Sequence, residues 1–179
     1  MLLFLLWYNS STVSIRKARE KNMISYIFFA LLLLGAAWCI YQISVADFRR
    51  RIIPDAFLFP LMLIGLLLLV FFPNWPITVA DAVIGATFGY GIAAITGVIF
   101  DWYLRRTNAT PDTPIGMGDI KLLGVGGLWL GASGLGLALF FACVTGIIWA
   151  RHTHQRFIPF APFFLFGGIL AFFINLFLL

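Results

Sequence analysis

The chain has 179 residues, of which 62% are hydrophobic and only 11% charged, and its mean hydropathy is +1.01. A water-soluble domain carries roughly 25% charged residues, so this composition excludes a soluble globule and favours an integral membrane protein. The net charge of +5 lies in short clusters between apolar runs, which is typical of membrane loops, and we expect no nucleic-acid partner.

Apolar runs long enough to cross a bilayer recur along the chain. A spanning helix needs about 20 mostly apolar residues, and lipid cannot satisfy backbone polar groups, so such runs must be helical. The sequence therefore predicts an all-α integral membrane protein with about six transmembrane helices. They cover residues 24–46, 55–72, 78–100, 119–131, 135–150 and 158–179. A loop is predicted over 101–115, and a turn at Ala132-Ser133-Gly134 between the short fourth and fifth helices.

The segment before the first predicted helix, residues 1–22, is a basic tail, and residues 23–179 form the predicted membrane domain. Arginines follow the first, third and fifth helices, which puts those loops in the cytoplasm and the basic tail on the opposite side. Because that placement conflicts with the positive-inside rule, we favour translation from Met23. A partner helix that holds the tail in the cytoplasm is the alternative.

Metal-binding patterns are weak in this sequence. Cys39 and Cys143 both lie in apolar runs and form no CxxC motif. His152 and His154 lie in a basic loop without a further set of ligands. We expect no metal and no cofactor.

Acidic residues are informative because a charge at the centre of a membrane helix costs about 2.5–3.5 kcal/mol. Four of the seven acids have an ordinary explanation as helix-end, turn or ion-pair residues. These four are Glu20, Asp81, Asp101 and Asp112. Asp101, for example, precedes Arg105 by one helical turn.

The remaining acids are Asp47, Asp55 and Asp119. Asp55 opens the second helix after Pro54, an ordinary place for an acid. Asp47 and Asp119 fall at the cytoplasmic ends of the first and fourth helices. Two carboxyl groups in one partly desolvated pocket hold one proton between them, and such a pair can activate water and polarise a peptide carbonyl.

The residues before Asp119 support this interpretation without proving it. Gly116 and Gly118 permit a substrate strand to approach the backbone closely. The same Gly-Met-Gly-Asp sequence is also typical of a flexible turn before a helix, so the motif alone leaves both interpretations open.

Four segments in order extend the pattern: DFRRRIIPD at 47–55, DAVIGA at 81–86, GMGDIKLL at 116–123 and IPFAPF at 158–163. Together they resemble the motifs of the type IV prepilin peptidases, a family of GxGD membrane aspartyl peptidases. The resemblance implies a six-helix core in the bacterial cytoplasmic membrane. It also implies cleavage of the leader peptide of prepilins or pseudopilins, after a Gly, at the cytoplasmic face of the lipid bilayer.

The resemblance also implies site residues. The catalytic pair would be Asp47 and Asp119. Residues expected to support the active site or the substrate are Pro54, Asp55, Gly116, Gly118 and Lys121.

The sequence departs from the family in two ways. It has no N-terminal region with paired CxxC motifs, so the resemblance is to a short form without the methyltransferase activity. Ala161 replaces the glycine of the family's late motif. The substrate, the oligomeric state and a separate methylating enzyme are not identified by the sequence.

Two alternative functions remain. One is another intramembrane aspartyl protease, such as an archaeal preflagellin peptidase or a relative of signal peptide peptidase, although Ala46 rather than Tyr precedes Asp47. The other is a non-catalytic transporter or assembly subunit, because intramembrane acids also form ion paths.

Overall fold

The computed structural model describes the backbone of residues 2–107, 116–153 and 158–178, and the side chains of 23–107, 116–153 and 158–177. These residues form five helices, and no strand occurs among them, which confirms the all-α prediction. The helices are α1 (Leu2–Arg50), α2 (Asp55–Phe71), α3 (Val79–Arg106), α4 (Met117–Thr153) and α5 (Phe160–Leu178).

The number of membrane spans differs from the prediction. By length and composition, four stretches of the described chain can cross a membrane, and α2 is a shorter apolar helix of 17 residues. The prediction of about six spans is therefore not confirmed. The four stretches are Met23–Arg50, Val79–Arg106, Met117–Thr153 and Phe160–Phe177.

Part of the difference comes from α4, which contains both the fourth and the fifth predicted helix. It has a break at Gly131, where φ is 69° and ψ is 178°. Leu123 and Leu135 both contact the position where a Cβ on Gly89 would lie. In one straight helix these two leucines would be about 18 Å apart. The chain therefore reverses at Gly131, and α4 consists of two antiparallel halves, 117–130 and 132–153.

The predicted turn at Ala132-Ser133-Gly134 lies one residue too late, because the chain reverses at Gly131 and these three residues already have helical backbone angles. The reversal needs a single residue with positive φ and extended ψ, a conformation that glycine alone adopts readily. Gly131 provides this conformation, and the second half of α4 begins directly after it.

Other helix ends also differ from the sequence-based boundaries. The backbone of α1 is helical from Leu2, and α5 begins at Phe160. The predicted loop over 101–115 is wrong for residues 101–106, because α3 continues to Arg106, and residues 108–115 lie outside the described part of the chain. Its last turn is polar, and the predicted ion pair of Asp101 with Arg105 is confirmed at 2.9 Å.

The beginning of α3 follows the prediction for Asp81. The hydroxyl of Thr78 donates to Asp81 Oδ2 over 2.7 Å and accepts from the Asp81 backbone N–H over 3.2 Å. Asp81 is thus a first-turn acid in a capping arrangement. Asp112, His154 and the side chain of Glu20 lie outside the described part of the chain.

Small residues allow the helices of the core to pack closely. Gly127 of α4 lies against the backbone of Gly85 in α3, and Gly167 of α5 lies against the carbonyl oxygen of Ala138 in α4. Small residues let helix backbones approach each other in lipid. The two halves of α4 therefore pack on both α3 and α5, while α1 packs mainly on α2 and α5.

Among the side chains that the structure describes, the basic ones gather at one end of the bundle. At that end, basic side chains lie in the last turn of α1 and just after it, in the last turns of α3 and α4, and in the second turn of α4. They are Arg49, Arg50, Arg51, Arg105, Arg106, Lys121 and Arg151. At the other end, the α2–α3 connection and the break at Gly131 carry no Lys or Arg.

Candidate active site

Asp47 lies in the last turn of α1, and the residue is only 5% exposed. Its Oδ2 accepts a hydrogen bond of 2.8 Å from the backbone N–H of Ala161, in the first turn of α5. Among the buried side-chain polar atoms that the structure describes, none lacks a hydrogen-bond partner. A carboxyl group this far from water needs such a partner, and α5 supplies it.

The chain leaves α1 through an unusual backbone conformation just after this acid. Arg51 has φ of 54°, and it is the one non-glycine residue with positive φ in the described chain. Its backbone N–H still bonds to the Asp47 carbonyl oxygen over 3.0 Å. The left-handed residue ends α1 and turns the chain towards Ile52 and Ile53, which border the same pocket as Asp47.

Asp119 lies in the first turn of α4 and is partly buried. The Gly116 backbone N–H donates to Asp119 Oδ2 over 3.3 Å, and the Asp119 N–H donates to the Gly116 carbonyl oxygen over 3.0 Å. This reciprocal pair holds the carboxyl group at the beginning of the helix, where N–H groups favour negative charge.

The two carboxyl groups border one open pocket of about 320 Å³ at the basic end of the bundle. The pocket combines three segments: the end of α1 with the following loop, the first turn of α4, and the chain entering α5. Its lining residues are Asp47, Arg51, Ile52, Ile53, Gly116, Met117, Gly118, Asp119, Ile158, Pro159 and Phe160.

The structure brings together four of the residues predicted for the site, namely Asp47, Gly116, Gly118 and Asp119. The other three lie beside the pocket and do not border it. Pro54 is the N-cap residue of α2. Lys121 Nζ forms an ion pair with Asp55 Oδ2 at 2.7 Å.

Gly118 is in contact with the loop that follows α1. A Cβ at position 118 would lie 2.9 Å from the Cβ of Ile53, which is itself buried. Glycine therefore allows the first turn of α4 to pack directly on the loop after Asp47. This contact brings the two segments that carry the acids to a common wall of the pocket.

Sequence reasoning did not identify the contributions of Ala161, Arg51 and the Ile158–Phe160 segment. The late IPFAPF motif was noted only as part of a resemblance, and a backbone N–H leaves no signature in residue type. The positive φ of Arg51 likewise has no sequence signal, because glycine and asparagine are the residues that usually indicate it.

Metal-binding residues are sparse near the site. Within the described chain, no three His, Cys, Asp or Glu side chains gather into a cluster. The pocket itself offers two carboxyl groups and one guanidinium, and His152 is exposed near the end of α4.

The fold and the pocket define a class of protein: a helical membrane protein in which two acids on different helices share a site at the basic end. Comparison with known families then gives a specific assignment. Residues 27–151 match the type IV leader peptidase family, and the chain belongs to that family. The matched region contains both Asp47 and Asp119.

Individual relatives carry the name prepilin leader peptidase/N-methyltransferase. The protein from Aeromonas salmonicida (strain A449) is 32% identical over 149 residues, which are 79% of this chain and 48% of the relative. The protein from Dichelobacter nodosus is 31% identical over 167 residues, 89% of this chain and 56% of the relative. The chain thus spans about half the length of these curated relatives. No solved structure matches it.

Proposed function

We propose that the chain is a membrane-embedded aspartic endopeptidase. Its substrates are type IV prepilins or pseudopilins, and it removes their leader peptides by cleaving after a Gly. The observation that carries the proposal is the pocket that Asp47 and Asp119 share, although they lie on different helices. Membership of the family and the names of the relatives support the substrate class.

In the proposed reaction, a water molecule lies between the two carboxyl groups, which hold one proton between them. The ionised carboxylate accepts a proton from water as the water oxygen attacks the scissile carbonyl carbon. The protonated partner donates a hydrogen bond to the carbonyl oxygen. The carboxyl group that accepted the proton from water then donates it to the leaving amine as the C–N bond breaks. The pair again holds one proton.

The walls of the pocket suit an extended peptide. Gly116 and Gly118 have no side chain to keep a substrate backbone away from Asp119. Ile52 and Phe160 offer apolar surface on the other sides of the opening. A prepilin segment could thus lie with its backbone over the glycines and its scissile bond between the acids.

The charge distribution supports the proposed orientation. The site lies at the end where the described arginines of α1, α3 and α4 gather, which by the positive-inside rule supports a site at the cytoplasmic face of the inner membrane. If α2 and each half of α4 cross the lipid, the bundle has six crossings, and successive connections alternate between the two faces. The apolar side chains exposed on the outer surface of the bundle are then in contact with lipid.

The test is cleavage of purified prepilins by Asp47→Asn and Asp119→Asn variants in detergent or proteoliposomes. General acid–base catalysis contributes about 100- to 10,000-fold, so each variant is expected to lose activity by a factor in that range. Asp101→Asn is the matched control, because this exposed acid lies at the same end and outside the pocket. Mass spectrometry of the product locates the cleaved bond, with a preflagellin as the comparison substrate.

Wild-type processing by either Asp variant would refute the proposal. A transporter or assembly subunit predicts that result, together with a loss of ion flux or of complex formation. Preferential cleavage of the preflagellin would instead show that the substrates are preflagellins, cleaved by the same mechanism.

A further inference from the structure

The helices that carry the two acids have little direct contact with each other. Within the described residues, α1 packs on α2 and α5, and α2 and α5 both pack on α4. The ring of Phe48 meets that of Trp149, but this contact involves the last turns of α4, far along the chain from Asp119. The distance between Asp47 and Asp119 is therefore set by the segments that connect α1 to the first turn of α4.

One connection is the ion pair of Asp55 with Lys121, in which Nζ lies 2.7 Å from Oδ2. Asp55 opens α2 directly after the loop that follows Asp47, and Lys121 lies two residues beyond Asp119. The contact of Ile53 with Gly118 lies beside this ion pair. The pair thus joins the two segments at the outer edge of the pocket wall.

The ion pair is too exposed to be explained as a main source of stability. Its side chains retain 35% and 48% of their accessibility. Surface ion pairs contribute little to folding, because water screens the charges and both side chains lose freedom. Because the ion pair lies between the two acid-bearing segments, it affects their separation rather than the stability of the fold.

We propose that Asp55 and Lys121 are a positioning pair that sets the separation of the Asp47 and Asp119 carboxyl groups for catalysis. The inference rests on the proposed peptidase function. Neither residue borders the pocket, so both act through the segments they join. Without the ion pair, the first turn of α4 can move away from the loop after α1. A displacement of about 1 Å can reduce a rate on the order of 100-fold.

Kinetics of Lys121→Met, Asp55→Asn and the double variant test the pair. We expect kcat to fall about 10- to 100-fold in each, with KM within about threefold of wild type, because geometry rather than substrate contact changes. The double variant should be no worse than the poorer single variant. Lys121→Arg, which keeps the cation, should recover part of kcat.

Asp101→Asn and Arg105→Met provide a matched control, because they break an exposed ion pair at the same end of the bundle that joins no two segments of the site. Both should retain wild-type kcat. Thermal unfolding in detergent should give similar midpoints for all these variants. Wild-type kcat in Lys121→Met, or a loss of kcat matched by a loss of folded protein, would overturn the proposal.

Cross-linking measures the position of the segments without any cleavage. Ile52 and Met117 are exposed and border the pocket on opposite segments. Cysteines at these two positions, with Cys39 and Cys143 replaced by Ala, should react with a short bifunctional thiol reagent. We expect Lys121→Met to lower the cross-linked fraction severalfold, whereas Arg105→Met should not.

An unchanged cross-linked fraction in Lys121→Met would contradict the positioning role. The cross-linked fraction does not depend on whether the chain is a peptidase. If Asp47→Asn cleaved normally, the proposed function would fail while the cross-linking result still decided whether the ion pair positions the segments.

Discussion

The backbone N–H of Ala161 donates a hydrogen bond of 2.8 Å to Asp47 Oδ2, which joins the first turn of α5 to the last turn of α1. The first N–H groups of a helix have no acceptor within the helix, so α5 can offer one to a carboxylate without losing an internal bond. A hydrogen bond to a charged group contributes about 1.5–3 kcal/mol. It offsets part of the desolvation of an acid that is only 5% exposed.

Replacing Ala161 should separate the role of its N–H from that of its methyl group. Ala161→Pro removes the donor, and proline is tolerated in the first turn of a helix. We expect cleavage to fall at least about 10-fold, because the loss of a hydrogen bond to a charged group exceeds about 1.4 kcal/mol. Initial rates on a prepilin substrate measure the effect.

Ala161→Gly is the matched control, since it keeps the N–H and removes only a methyl group from a fully buried position. It should cleave at a rate close to wild type. Equal activity of the Pro and Gly variants would show that the bond to Asp47 has no role in catalysis.

Gly118 provides a second prediction, which concerns the wall between the two acids. A Cβ at this position would lie 2.9 Å from the Cβ of Ile53, so Gly118→Ala must move the first turn of α4 or the loop after α1. We expect kcat to fall about 10- to 100-fold, because small displacements of catalytic groups are costly. Steady-state kinetics with the purified variant measure it.

A second substitution should relieve the crowding caused by the added methyl group. Ile53→Gly removes the Cβ that the added methyl group would meet, and the double variant is expected to recover part of the activity. Wild-type kcat in Gly118→Ala alone would contradict the argument that this contact sets the geometry of the site.

Much of the site could be predicted from sequence because charges are rare in this chain. Asp47 and Asp119 stand out against apolar surroundings, and their helix-end positions suggested one membrane depth. The beginning of α2 could be predicted as well, because Pro54 and Asp55 favour the first turn of a helix. Local patterns were therefore sufficient for helix type, for several helix starts and for singling out the two acids that border the pocket.

The remaining features depend on tertiary packing or on one backbone angle. Gly131, Ser133 and Gly134 all favour a turn by composition, and only the positive φ of Gly131 decides where the chain reverses. The pairing of Lys121 with Asp55 joins residues that are 66 positions apart. No local pattern specifies such a contact, and the donor from Ala161 belongs to the backbone rather than to a side chain.

Close packing of α3 on α4 leads to a third prediction. A Cβ on Gly127 would lie against the carbonyl group of Gly85 and 2.8 Å from the backbone N of Ala86. Backbone atoms cannot move aside as a flexible side chain can. We expect Gly127→Ala to reduce the yield of monodisperse protein severalfold, because overpacking in a well-packed core costs about 1–3 kcal/mol or more.

Gly91→Ala is the control for this prediction, since position 91 lies on α3 with open space around it. Its yield and its elution on size-exclusion chromatography should match those of wild type. A normal yield for Gly127→Ala would show that the two helices are not packed as closely as the structure has them.

The break in α4 gives the last prediction, in which the same substitution has opposite effects at two glycines. Gly131 has φ of 69° and ψ of 178°, a conformation that costs an L-residue about 1–3 kcal/mol. A Cβ there meets only ordinary contacts, the nearest at 3.5 Å, so the cost comes from the backbone. For a chain of this size about 1 kcal/mol corresponds to roughly 2–4 °C, and Gly131→Ala should lower the unfolding midpoint in detergent by about 2–12 °C. Gly136 lies within the helical half that follows, with no atom near its missing Cβ. There alanine is favoured over glycine by up to about 1 kcal/mol, so Gly136→Ala should leave the midpoint unchanged or raise it.

Equal midpoints for the two variants would mean that the chain does not reverse at Gly131.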